Sequence, residues 1–370
     1  GDLGVLTIDN DITRDANGNA TLDLRADHSI VGNFGINIEA SDDNSDGIAG
    51  ALNVIFNADR DGDEDGSISI NTNSITTLGG YFVAGGGSGD VGGTNGILGD
   101  GDGTGADDNF AYGVGSGRGI NFSESQILTS GGDAIVLGFA KGAGTDIGLV
   151  MNGTQISTGD GNIKLKGFST GDTGVPRGMA FYGAAAPVSM TTTGGNIDIT
   201  ASSANEYGFR LIDDTSITTI DGDITITASS PTSTDMALGG PNPDHEIYST
   251  NGNVTINAND VALESLSTLY AGDTLSIFTI DPTTSIGLGG GGGTLNLSTD
   301  ELDIINAGNK IIIGKDGVQT GDIDLDTWNI NGKSFDLELY GNDINLGGIT
   351  MGTGSILAHA QDNGGDTGFL

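Results

Sequence analysis

Apolar and polar residues alternate along this chain in short runs, and most runs open on glycine followed by aspartate or asparagine. Gly132-Asp133 leads into Ile135 and Leu137, Gly161-Asn162 into Ile163 and Leu165, Gly195-Asn196 into Ile197 and Ile199, and Gly222-Asp223 into Ile224 and Ile226. Further on, Gly252-Asn253 precedes Val254 and Ile256, Gly272-Asp273 precedes Leu275 and Ile277, Gly293-Thr294 precedes Leu295 and Leu297, and Gly321-Asp322 precedes Ile323 and Leu325. A period of two with one apolar face predicts β-strands, Ile and Leu inward and Asp, Asn, Thr and Lys outward.

An apolar residue followed by Ser or Thr stands before many of these corners, as in Ile75-Thr76-Thr77, Ile127-Leu128-Thr129, Ile156-Ser157-Thr158, Val188-Ser189-Met190 and Ile217-Thr218-Thr219. Each repeat therefore reads as two short strands joined at a glycine corner. Corners fall 20 residues apart between Gly252 and Gly272 and 34 apart between Gly161 and Gly195, as in coils with unequal loops. One such pair cannot bury its apolar face alone, whereas stacked coils about 4.8 Å apart form a continuous core. Antiparallel hairpins fit less well, because the corners are not two-residue Asn-Gly or Asp-Gly turns. The pattern predicts an all-β fold, a parallel β-helix, with right-handed crossovers expected on general grounds.

At the corner, glycine is expected to supply a positive φ and the Asx side chain to bond its own backbone. Stacking would align Asp133, Asn162, Asn196, Asp223, Asn253, Asp273, Thr294, Asp322 and Asn342 as a ladder. No two aspartates are neighbours in that order, which avoids like charges in contact.

The repeat divides the chain into three parts. Residues 1–60 read as coils with degenerate corners, where Leu22 and Leu24, Ile36 and Ile38, and Leu52 and Val54 still alternate. Residues 61–360 carry the regular coils, interrupted at about 85–119 by a Gly- and Asp-rich excursion with few apolar residues. Residues 361–370 lose the pattern and read as a tail or linker.

Composition sharpens this picture. The 67 glycines and the many Thr, Ser, Asn and Asp residues disfavour helices, and 6 prolines without a third-residue glycine period exclude collagen. With 12 Lys+Arg against 50 Asp+Glu, the net charge of −38 repels nucleic acid and anionic lipid and favours cations, calcium above all. There is no cysteine to build a disulfide, zinc cluster or thiol nucleophile. No signal-like opening and no apolar run near 18 residues occurs, so the segment reads as soluble, without membrane insertion, and processed or cut from a longer chain.

Ile-x-Thr, a short gap, Gly-Asx and Ile-x-Ile, together with acidic Gly-rich turns, resemble the repeats of filamentous-haemagglutinin-like exoproteins. The resemblance covers roughly residues 50–350, including Asn57-Ala58-Asp59-Arg60-Asp61-Gly62-Asp63 and Ile75-Thr76-Thr77-Leu78-Gly79-Gly80. It implies a right-handed β-helical shaft of a large bacterial adhesin, exported by two-partner secretion to the cell surface for adhesion, filament or biofilm-matrix building. The Asn-Pro motifs of that family's secretion domain are not matched, since Asn242-Pro243 lies mid-chain.

Candidate chemistry is sparse. Asp61-x-Asp63-x-Asp65-Gly66-x-Ile68 matches the first half of an EF-hand loop, although Thr72 replaces the closing glutamate, so calcium is expected on Asp61, Asp63 and Asp65 without a true EF-hand. Asp42, Asn44 and Asp46 before Gly47 form a less complete copy, and Asp100, Asp102, Asp107 and Asp108 a third acidic cluster without defined spacing. Several weak ions stiffening a shaft are expected rather than one tight site. Lys164 and Lys166 read as solvent-facing, His28, His245 and His359 as ordinary surface or turn residues, and Gly87-x-Gly89-x-x-Gly92 as a chance match to a dinucleotide fingerprint.

No catalytic residue is nominated. The expectation is a non-enzymatic, extracellular, acidic rod that self-associates into filaments or binds cell-surface glycans or matrix. A carbohydrate-binding module is the alternative, with Tyr81, Phe82, Phe110, Tyr112, Phe181, Tyr182, Trp328 and Tyr340 as its aromatics, and so is a polysaccharide-active β-helix enzyme.

Overall fold

A computed structural model describes residues 4–15, 18–41, 50–87, 110–114, 117–142, 144, 146–171, 174–183, 186–231, 236–238, 244–263 and 266–361. Its strands stack in parallel, coil upon coil, as an almost all-β solenoid with a short helix, Thr299–Ile304. One 13-stranded sheet runs from Ala20–Arg25 to Ile356–Ala360. Its register aligns Leu22, Val54, Phe82, Ala134, Ile163, Ile197, Ile224, Val254, Leu275, Ile311, Leu337 and Ile356 in a single column. At about 4.8 Å per coil that column is on the order of 50 Å long.

A regular coil has three strands rather than the expected two. After Ile163–Ser169 on the first face come Arg177–Tyr182 on a second and Val188–Thr192 on a third, before Ile197–Ser203 restarts the cycle. The second and third faces belong to one 17-stranded sheet, and in the early coils single long strands such as Ile30–Ser41 serve both. The second-face strands escaped the sequence pattern because in strands such as Ile147–Asn152 (IGLVMN) every residue up to Met151 is buried, so burial does not alternate. Outward residues Ile147, Val150 and Ala180 form a small cluster of their own.

The same ambiguity shifts the phase of one strand. In Ala134–Lys141, Ala134 and Val136 enter the main core, whereas Leu137 turns outward to a second cluster with Ile55, Val83, Phe110, Tyr112 and Phe139. Elsewhere alternation gives the inward set correctly, as for Ile163 and Leu165 or Ile197 and Ile199, each nearly inaccessible. Burying one such side chain stabilises by roughly 1.5–3 kcal/mol, so the stack is held by many equivalent contributions.

The corner glycines act by close approach and not by positive φ. A Cβ on Gly132, Gly161, Gly195, Gly222, Gly252 or Gly272 would come closer than 3.0 Å to a backbone carbonyl oxygen of the coil before, whereas neighbours such as Gly131 and Gly159 carry the positive φ, at 122° and 65°. Buried hydroxyls brace these corners. Thr158 and Thr192 donate to the carbonyls of Gly161 and Gly195, each at 2.5 Å, and Ser249 Oγ to that of Gly222 at 2.8 Å.

The Asx side chains bond the next coil instead of their own backbone. The amides of Asn162, Asn196, Asp223 and Asn253 donate at 2.7–2.9 Å to Oδ1 of Asp133, Asn162, Asn196 and Asp223 in turn. Beyond Asp273 the ladder departs from the expected order. Asn309 Nδ2 donates to Asp273 at 3.0 Å, and Asp336 accepts from Ser355. A third, four-stranded sheet holds Leu295–Leu297, Ile286–Leu288, Ile323–Asn329 and Ile344–Thr350; there Asp322 and Asn342 form a separate rung, and Thr294 heads Leu295–Leu297. Gly-Asx can start a strand on any face, so its spacing alone does not say which corner it occupies.

Residues 4–41 join the same ladders. Asn19 Oδ1 accepts from Ala51 N, a displaced version of the regular corner. Both described ends of the expected excursion at 85–119 belong to strands. Ala111–Val114 pairs with Gly138–Lys141 on the first face, and Arg118–Ser123 pairs with Ile147–Asn152. Gly86, Gly113 and Gly119 sit where backbone leaves no room for a Cβ, so glycine there marks tight packing and not a loop. Residues 88–109, with Gly89, Gly92 and the third acidic cluster, lie outside the described residues, as do 362–370 and Asn242-Pro243.

Candidate functional site at the Asp59–Gly66 corner

Strand Leu52–Ala58 ends at Asp59, and the chain turns through Gly62 and Glu64, both at positive φ, before Ile68–Thr76 begins. Gly62 N donates to the Asp59 carbonyl at 3.0 Å, closing the turn. The Asp65 amide then reaches two carboxylates, Asp59 Oδ1 at 3.3 Å and Asp63 Oδ1 at 3.2 Å. As a result one carboxylate oxygen from each of Asp59, Asp61 and Asp63 lies within 4.8 Å of the others.

Of the three expected ligands, Asp61 and Asp63 are brought together, and Asp65 is not. Its carboxylate turns to His28, with Oδ1 3.3 Å from Nε2, and the third member of the group is Asp59. Asp59-x-Asp61-x-Asp63 has the same alternate spacing one step earlier in the chain, so the sequence contained the signal. Choosing between the two frames needed the turn geometry. Thr72 belongs to the strand that follows, pairing with Ile36, and not to a helix. Asp42, Asn44 and Asp46 lie outside the described residues.

The three carboxylates differ in setting. Asp61 and Asp63 are exposed to water, but Asp59 is 1% exposed and its Oδ2 has no hydrogen-bond partner. Burial pushes its pKa up to about 7, and the charges of Asp63 and Asp61 push the same way against the Asp65 amide. The basic side chains nearby are turned elsewhere: Arg60 faces Asp27 at 3.8 Å and Lys141 pairs with Glu64.

This corner also fastens the roots of the 88–109 segment. Gly87 N donates to the carbonyls of Ala58 and Asp59, at 3.0 and 3.1 Å. On the returning side, Gly66 and Tyr112 exchange a pair of backbone bonds, at 3.1 and 2.8 Å, in an antiparallel bridge. Chemically the corner offers hard oxygen ligands, and beside them the Ser29 hydroxyl stands 2.8 Å from His28 Nδ1, the ring whose Nε2 faces Asp65.

Other nominated residues fall as follows. Lys164 is exposed. His359 stands 3.5 Å from Asp316 at the surface. His245, expected to be a surface or turn residue, is instead fully buried in the column between Thr215 and Leu266, its two ring nitrogens without partners. A lone histidine between Asp244 and Glu246 carries no sequence sign of burial, since the strand's other inward residues are only Ile247 and Ser249. Burial lowers its pKa, against the pull of Asp214, Asp213 and Asp244. Phe82, Phe110, Phe181 and Trp328 are completely buried, Tyr112 and Tyr340 nearly so, and Tyr81 and Tyr182 half-buried.

The chain matches no family model, and neither a curated protein nor a solved structure matches it.

Proposed function

We propose that this chain is a shaft segment of an extracellular bacterial adhesin or surface filament, a right-handed parallel β-helix of the filamentous-haemagglutinin-like type. The observation that carries the reading is the unbroken column from Leu22 to Ile356 with its polar Asx ladder outside. Such a stack converts sequence length into reach, because each coil adds a fixed rise and rests only on its neighbours. The motif resemblance and the net charge of −38 support a secreted, surface-displayed setting. Glycan recognition by stacking is supported less well, because six of the eight candidate aromatics are buried in the stack.

Self-association would use exposed apolar side chains. Leu346 and Leu357, on strands Ile344–Thr350 and Ile356–Ala360, are 45% and 48% exposed, and Met351, just past the first strand, is 37% exposed. The test combines small-angle scattering with sedimentation velocity over a concentration series, and with a panel of polysaccharides. An elongated particle whose association with further copies is weakened by Leu357→Glu is expected. A compact particle would end the rod reading, and turnover of any polysaccharide would replace it with the enzyme alternative.

A further inference from the structure

We infer that Asp59, Asp61 and Asp63 bind one divalent cation of the calcium type, which locks the corner that fastens both roots of the 88–109 segment. This inference stands apart from the shaft reading and would hold for a β-solenoid of any function.

Geometry comes first. Oxygens bound to one calcium ion at 2.3–2.6 Å can be no more than about 5 Å apart, and the three carboxylate oxygens lie within 4.8 Å of one another. Exposed acidic turns commonly satisfy such a limit without holding an ion, so the cluster by itself decides nothing. The deciding observation is Asp59. Its side chain is 1% exposed, it stands within the cluster, and its Oδ2 has no donor. A buried acceptor without a partner costs about 1–3 kcal/mol, more when charged. A divalent cation shared with Asp61 and Asp63 would give the buried carboxylate a partner and offset two of the three converging negative charges.

The competing way to satisfy Asp59 is a proton shared with Asp63, which needs no metal. The two differ in what they respond to: the shared proton is lost as the solution becomes alkaline and is indifferent to calcium, whereas the metal site takes up calcium at pH 8. Coupling to the 88–109 roots follows from covalent continuity. The Asp59 carbonyl accepts from Gly87 N, and Gly66, one residue after Asp65, bridges Tyr112.

The experiment is calcium binding by isothermal titration at pH 8 in 0.1 M potassium chloride, with amide hydrogen exchange on the same protein with and without calcium. The full chain is expected to take up calcium and to slow exchange at Gly62, Asp65, Gly66 and Gly87. Asp59→Asn and Asp61→Asn should each weaken binding tenfold or more. Asp61 is exposed, so its variant keeps the test meaningful if Asp59→Asn fails to fold. Asp160→Asn, at an exposed aspartate of another corner, should leave binding unchanged. Equal weakening by Asp160→Asn would mean diffuse counterion uptake by an acidic surface, and no uptake with unchanged exchange would mean that the three carboxylates hold no calcium; either overturns the inference.

Discussion

The backbone N–H of Asn253 donates to Oδ1 of Asp223, one coil earlier and 2.8 Å away, while Asn253 Nδ2 donates to the same oxygen at 3.0 Å. A single carboxylate oxygen thus satisfies both the backbone and the side chain of the next coil, and the relation passes along the column. Where the rung is an asparagine, as at Asn196, its Oδ1 takes the Asp223 amide and its own amide reaches back to Asn162.

Removing the rung at Asn196 with Asn196→Ala should lower stability by about 1 kcal/mol, the ordinary net worth of one such bond. Asn196→Asp keeps the acceptor but sets a carboxylate beside Asp223. It should therefore be less stable than the parent at pH 7, and recover in part with added salt, because exposed charges are screened. Urea midpoints at low and high salt check this, and a salt-independent loss would remove charge from the account of the ladder.

Gly195→Ala should destabilise by about 2 kcal/mol or more, since its Cβ would enter the space of the Gly161 carbonyl and two packed backbones would have to separate. Gly292→Ala, whose Cβ would meet only Asp324 Oδ2 at 3.7 Å, should stay within about 0.5 kcal/mol. Comparing the two by chemical denaturation tests close approach, and not flexibility, as the reason for the corner glycines.

His245 gives the stack an acid-sensitive coil. Its pKa is lowered in the folded chain by burial, with Asp213, Asp214 and Asp244 opposing and Thr215 and Leu266 its uncharged neighbours in the column. The unfolded chain therefore takes up a proton near pH 6.5 that the folded chain refuses. Its effect is absent at higher pH, and stability falls as pH drops below about 6.5, by at most about 1.4 kcal/mol per pH unit. His245→Leu should flatten this part of the profile. The difference between the two proteins in urea midpoint from pH 7.5 to pH 5 isolates the histidine from the titrating carboxylates. A constant difference would show that the imidazole is not buried neutral.

Much of the fold was legible because a strand with one buried face leaves a two-residue period, and Ile163, Leu165, Ile197 and Ile199 obey it. The Asx order was legible from Asp133 to Asn253, where no two aspartates are neighbours in the column. Strands buried on both sides leave no such trace, which is why Ile147–Asn152 and the outward turn of Leu137 went unread. Of the candidate site, the sequence offered two overlapping frames of alternate aspartates, and the bonds of the Asp65 amide to Asp59 and Asp63 selected the earlier one.

The sequence by itself determined the strand class, the repeat and the polarity of the outer ladder, because these follow from neighbours a few residues apart. The tertiary stack decided the rest: three faces to a coil, glycine by close approach, Asx side chains bonded to the next coil, and a carboxylate buried at Asp59. Each depends on what lies one coil away, some 20 to 50 residues along the chain, and that distance is set by loops whose lengths vary from coil to coil.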